Sequence, residues 1–109
     1  MAVEKAAPAT TRFIRLGRAE LDIVDAQAVK RRLNELRPDW VVNAAAYTAV
    51  DLAEDHAAKA IAANNTAVAT LAEASSQMGG RLLHLSTDFV FDGASSRAYL
   101  PSDSTNPLS

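Results

Sequence analysis

Cysteine is absent from this chain, which excludes disulfides and thiolate metal sites and fits a reducing compartment. No apolar run approaches the ~20 residues needed to span a bilayer. The opening MAVEKAAPATTR lacks the apolar stretch of a secretory signal. The expectation is a cytoplasmic protein whose residues 1–12 are a disordered leader. Glycine is scarce, with four residues at positions 17, 79, 80 and 93, so no clustered turn is available to cradle a phosphate. Positive charge is not in excess either. A formal net charge of -2 gives no electrostatic case for nucleic acid or an anionic membrane. Lys30, Arg31 and Arg32 form the one basic run and read as the solvated face of a helix. His56 and His84 are too far apart to suggest a ligand pair, and no metal site is expected. With 109 residues, 49% apolar and 22% charged, the chain is an ordinary globular sequence of at most one domain.

What is present concentrates in two stretches. In WVVNAAAYTAVD (Trp40–Asp51) an apolar strand runs into Ala44, Ala45 and Ala46, followed by the polar groups of Tyr47, Thr48 and Asp51. In open α/β sheets ligands bind in the crevice beyond the carboxyl ends of parallel strands. Alanines there leave room for a flat ligand against the backbone, and Thr48 offers a hydroxyl. LLHLSTDFVFDG (Leu82–Gly93) is a second strand running into an equally polar cluster. Two such edges suggest a nucleotide or cofactor site; the alternative is an alanine run packed tightly under a helix.

Between these edges the pattern is a βαβ unit. Phe13–Leu16 and Leu21–Val24 read as brief strands. Asp25 stands where an N-cap belongs. Ala26, Val29, Leu33 and Leu36 then make one helical face, and Pro38 marks its end. A strand over Trp40–Ala45 follows. A long helix is expected from about Ala57 to Met78, with an inner face of Ala57, Ile61, Asn64, Val68, Leu71, Ser75 and Met78. Gly79 and Gly80 stop it, and the next strand is Leu82–Ser86. Residues 93–109 read as an irregular loop. Asn64 is the odd member of the apolar stripe. It is either a core asparagine bonded to a nearby carbonyl or a holder of backbone or water near the strand ends.

NAAAYTAVDLAE (Asn43–Glu54), STDFVFDG (Ser86–Gly93) and DSTNPLS (Asp103–Ser109) together resemble the dTDP-4-dehydrorhamnose reductases, members of the extended short-chain dehydrogenase/reductases. RAELDIVDAQAV (Arg18–Val29) fits the same family, so the resemblance covers about Leu16 to Ser109. It implies a Rossmann-like parallel sheet with flanking helices, here partial, over residues 13–109. It also implies NADPH or NADH as cofactor and reduction of the C4 carbonyl of dTDP-4-dehydro-6-deoxy-L-mannose, giving dTDP-L-rhamnose. Carried over position by position, Asp22 and Ile23 meet the adenine end of the cofactor. Ala45, Ala46, Thr48 and Ser86 line it, with Thr48 on the nicotinamide side. Thr87 is the catalytic hydroxyl, bonding the substrate carbonyl as it gains negative charge. Val50, Asp88 and Phe89 border the sugar nucleotide.

Ordinary alternatives stand beside these roles. Thr87 could end its strand by bonding the loop. Asp22, Asp88 and Asp92 could be turn formers that bond their own backbone. Asp51, Glu54 and Asp55 read as a solvated helix start, where acids complement the dipole. Arg18 could meet a 2′-phosphate or lie on the surface.

The sequence also departs from the family. Phe89 replaces a usual tyrosine, and Asn65 and Thr70 differ as well. The glycine-rich TGxxGxxG turn is missing, as is the YxxxK pair that supplies the general acid; Tyr47 and Tyr99 each lack a lysine four positions on. The expectation is therefore a piece of a reductase without its N-terminal glycine-rich unit or C-terminal region. It should be inactive alone and open to self-association through uncovered sheet edges. The competing readings are a non-catalytic binding or regulatory module built on the same core, and a sugar-nucleotide epimerase or dehydratase relative.

Overall fold

A computed structural model describes residues 5–108, together with the backbone but not the side chain of Val50. Of the expected leader, residues 1–4 lie outside the described part, and the Thr11 amide closes a turn on the Pro8 carbonyl at 2.9 Å.

Helix α1 covers Ala26–Leu36, and its start follows from Asp25, whose carboxylate accepts from the Ala28 amide at 2.9 Å. That bond satisfies one of the four free amides of a first helical turn. Val29 and Leu33 are its buried residues. The helix stops at Arg37, which takes the left-handed conformation (φ 45) and donates its amide to the Leu33 carbonyl at 2.8 Å. Pro38 explains the stop, because its ring disfavours helical geometry in the residue before it.

Strand β1 (Trp40–Asn43) leads through a short 3-10 turn (Val50–Leu52) into a helical rod. The rod is α2 (Ala57–Ile61), a π-helical turn (Ala62–Thr66) and α3 (Ala67–Gln77). Strand β2 (Arg81–His84) then pairs in parallel with β1, with Trp40 opposite Arg81 and Asn43 opposite His84. This is the expected βαβ unit, each strand slightly shorter than the sequence suggests. The rod ends in a Schellman motif. Gly79 is left-handed (φ 74) and donates to Ser76, while the Gly80 amide reaches the Ser75 carbonyl at 2.9 Å.

Val29 and Leu33 meet Leu71 and Ala74 of α3, with Leu21, Ile23, Val41, Met78 and Leu82 packed against them. Of the rod, only α3 packs on the strands and on α1. The π turn explains a departure from the expected inner face. Its wider winding, with the Ala67 amide bonded to the Ala62 carbonyl, shifts the phase of the stripe. Leu71 and Ser75 are buried as expected, but Ile61 and Asn64 are exposed. Alternation along β1 and β2 sends Trp40 and Leu83 to the face opposite Val41 and Leu82. Trp40, Leu83 and the following Leu85 are exposed, with the Arg81 guanidinium 5.4 Å from the Trp40 ring centre.

The two early strands are not formed. Phe13–Leu16 joins neither strand of the two-stranded sheet, and around Leu21–Val24 backbone groups are spent on turns: the Gly17 carbonyl takes the Glu20 and Leu21 amides, and Asp25 donates to the Asp22 carbonyl. Groups committed in this way cannot enter a ladder. Leu21 and Ile23 bury against α1 and α3 instead.

Candidate cofactor site at the strand tips

Parallel pairing brings both carboxyl ends to one edge, and the Leu85 amide extends the ladder by one bond to the Asn43 carbonyl at 3.1 Å. Residues 44–48 and 85–88 therefore leave from neighbouring points, where ligands of parallel sheets sit.

The first tip is tied by side chains. Asn43 is 4% exposed, and its Oδ1 accepts from the Ala45 amide at 3.0 Å. That fixes the orientation of its amide, so Nδ2 donates to Nδ1 of His84 at 3.1 Å. With Nδ1 accepting, the neutral His84 ring carries its proton on Nε2. Two residues on, Asn64 accepts from the Tyr47 amide at 2.7 Å and donates to the Tyr47 carbonyl at 3.1 Å. Asn64 thus holds backbone at the strand end, the second of its two sequence-level readings, and it does so from the π turn. The Tyr47 hydroxyl and Nδ1 of His56 share a hydrogen bond of 2.9 Å. His56 is half-buried. Tied in this way, the tip leaves Ala44, Ala45, Ala46 and Thr48 exposed.

At the second tip Ser86, Thr87, Asp88 and Phe89 are all exposed. Thr87 caps a 3-10 turn (Asp88–Val90), accepting from the Phe89 amide at 3.3 Å and donating its hydroxyl to Asp88 at 3.1 Å. The strand-ending contact and an accessible hydroxyl thus coexist in one residue. A groove of about 750 Å³ takes Glu54 from the chain after β1, and Asp88, Phe89, Phe91 and Tyr99 from the chain after β2. Val50 opens the first 3-10 turn, and its side chain lies outside the described part. At the expected adenine end, the Asp22 carboxylate accepts from the Val24 amide at 3.1 Å and lies 3.6 Å from Nε of Arg18. Ile23 packs on the core. Among the described residues, no group of three or more His, Asp or Glu could hold a metal ion. No helix there is long and apolar enough to cross a membrane.

Two aspartates knit the far wall. Asp92 accepts from the Ala94 amide, the Tyr99 hydroxyl and the Asn106 side chain at 2.8–3.0 Å. The Ala94 amide, then Asn106 and Tyr99, hold its carboxyl down at about 2, against an ordinary 3.8. Asp103 is lowered too, first by the fork from Arg97 and then by the Leu100 amide. Both carboxyls therefore stabilise the loop above their unfolded pKa and lose that contribution as pH falls through the folded values. Amide exchange of Ala94 and Leu100 should rise as pH drops from about 4 to about 2, after correction for the intrinsic exchange rate. Asp92→Asn should flatten that response at Ala94; an unchanged profile in the variant would show that Asp92 does not carry it.

The family model described as the RmlD substrate binding domain matches residues 2–109. The dTDP-4-dehydrorhamnose reductase of Burkholderia thailandensis is 46% identical over 93 residues, covering 85% of this chain and 31% of that protein. The Sinorhizobium fredii enzyme of the same name is 39% identical across 100% of this chain and 37% of its own length. Among solved structures, a Clostridium acetobutylicum dTDP-4-dehydrorhamnose reductase superposes with a TM-score of 0.92 at 33% identity, over 98% of this chain and 38% of that one. The Bacillus anthracis reductase, in complex with NADP, gives 0.89 at 31% identity over 95% of this chain and 37% of that one. The chain thus spans about a third of the length of the relatives it matches. Family match, relatives and superposition agree, and the chain belongs to the dTDP-4-dehydrorhamnose reductase family.

Proposed function

We propose that these residues form the strand-tip part of the cofactor and substrate site of an NADPH- or NADH-dependent reductase acting on the C4 carbonyl of dTDP-4-dehydro-6-deoxy-L-mannose. The observation that carries the reading is that parallel pairing brings two strand tips to one edge of the sheet, with three exposed alanines on one tip and the exposed Ser86-Thr87-Asp88 triplet on the other, Asp88 also lining the neighbouring groove. The residues fit a nicotinamide cofactor. Methyl side chains leave the backbone open to a planar ring, and the Asn43 and Asn64 ties preset the loop, which reduces the ordering cost of binding. Ala45, Ala46, Thr48 and Ser86 would hold the cofactor, with Asp22 and Ile23 towards its adenine end. The bound cofactor supplies the hydride. Thr87 turns its hydroxyl from Asp88 to the carbonyl oxygen and stabilises the charge that develops there. Val50, Asp88 and Phe89 border the sugar. In the cell the reading places the chain in the cytoplasm.

The 109 residues as they stand contain neither the glycine-rich turn nor the YxxxK pair. They supply no phosphate cradle and no general acid, and turnover by them alone is not expected. The uncovered Trp40, Leu83 and Leu85, with the edges of a two-stranded sheet, favour self-association. Titration with NADPH followed by amide shifts tests the placement. The expected dissociation constant is about 1 mM or weaker, with shifts confined to Asp22, Ile23, Ala44–Thr48 and Ser86–Phe89. Micromolar affinity would show that the cradle is dispensable, and shifts centred elsewhere would remove the site from the strand tips.

A further inference from the structure

Tyr47 is held at three points by the helical side of the molecule. Asn64 takes its amide and its carbonyl, and His56, the residue before α2, takes its hydroxyl. The two rings meet edge to face, with centroids 6.4 Å apart and planes at 79°. Asn64 alone fixes the peptide groups, yet a two-bond clamp by an exposed side chain can rotate about its own axis and open to water. The hydroxyl bond, nine residues along the chain, sets the direction of the side chain and removes that freedom. Thr48 is the next residue, so the angle at which its hydroxyl is offered depends on how Tyr47 sits.

We infer that His56 is a positioning residue for the strand-tip site, acting through the Tyr47 hydroxyl to hold the loop that presents Ala45, Ala46 and Thr48. The functional meaning rests on the cofactor reading above; the physical coupling does not. The His56 amide donates to the Leu52 carbonyl at 2.8 Å, a bond that side-chain substitution leaves in place, and among the described residues the action of the ring on the loop passes through the Tyr47 hydroxyl.

Hydrogen exchange and ring-nitrogen spectra of the 109-residue chain test the coupling. Tyr47→Phe and His56→Ala should each speed exchange of the Tyr47-position amide about fivefold, the consequence of losing one net hydrogen bond. The double variant should add nothing further. His56→Asn, whose side-chain amide occupies the place of the ring Nδ1, should restore slow exchange. Tyr47→Phe should also move the His56 ring-nitrogen resonances, which a residue that merely fills space would not show. The Ala45 amide, held separately by Asn43, and the Leu71 amide in the core serve as controls and should stay unchanged. Additive effects, unmoved ring signals, or equal acceleration at Ala45 and Leu71 would each overturn the inference. NADPH plays no part in these measurements, so failure here and failure of the cofactor reading give different results.

Discussion

Leu71→Ala should bring this chain close to unfolding. Leu71 is 3% exposed and belongs to the small group, with Val29, Leu33 and Ala74, on which the rest of the apolar residues pack. It lies on α3, the one segment of the rod that touches both strands and α1, so its loss leaves a void where three elements meet. Truncating a buried leucine costs about 2–5 kcal/mol. Total stability of a domain is only about 5–15 kcal/mol, and a core this small belongs at the low end. At a urea slope of about 1–3 kcal/mol per molar, the midpoint should fall by about 0.7 M or more. Leu83→Ala is the matched control. Leu83 is adjacent in β2 to core-packed Leu82 but faces the other way and is 46% exposed. Its truncation should cost less than about 1 kcal/mol. Equal effects would mean that the sheet buries its opposite face, contrary to the exposure of Trp40 and Leu83.

The contrast between these leucines also marks what could be read from the sequence. Wherever a local rule governed, the reading matched. Asp25 caps because a carboxylate there meets free amides, Pro38 ends α1 because of its ring, and the two glycines close the rod. The two strands and the crossover between them were visible in the apolar runs and in the helical spacing of Leu71, Ser75 and Met78. The two motifs that carry the resemblance, NAAAYTAVD and STDFVFDG, both lie at the carboxyl ends of the paired strands.

The rest was set by tertiary contact. Phe13–Leu16 and Leu21–Val24 have apolar residues suited to strands, yet a strand requires a neighbour. Phe13–Leu16 joins neither strand of the sheet, and at Leu21–Val24 the turn bonds at Gly17 and Asp22 and the burial of Leu21 and Ile23 take the place of a ladder. The π turn was invisible because spacing arguments assume 3.6 residues per turn, and one wider turn put Asn64 out of phase with α3. Asn43 and His56 are a different case: their partners lie at Ala45 and Tyr47. An asparagine closing a strand before small residues is a signal for a side-chain-to-backbone bond. A tyrosine–histidine pair nine residues apart carries no such signal, since only the intervening turn brings them together.

The second large effect concerns two adjacent glycines that one motif would treat alike. Gly79 needs its left-handed conformation (φ 74), but a Cβ built there meets nothing within 4 Å. Gly79→Ala should therefore cost only the conformational penalty, about 1–2 kcal/mol. At Gly80 the obstacle is steric. A Cβ would stand 2.7 Å from the Pro38 carbonyl oxygen, with the Ser75 and Asp39 carbonyls at 3.5 and 3.6 Å. These are backbone atoms that cannot swing aside, and they sit where β2 begins, with the Arg81 amide bonded to the Asp39 carbonyl at 2.9 Å. Relief requires β2 to move off β1 or the Schellman turn to open, and either loosens the strand tips downstream. Overpacking against fixed neighbours costs about 1–3 kcal/mol, occasionally more, to which the lost first rung is added. Gly80→Ala should thus destabilise the chain more than Gly79→Ala in urea unfolding, and it alone should accelerate exchange of the Arg81 amide. If Gly79→Ala proves the more damaging, the close passage of β2 past Pro38 is not what fixes the register of the sheet.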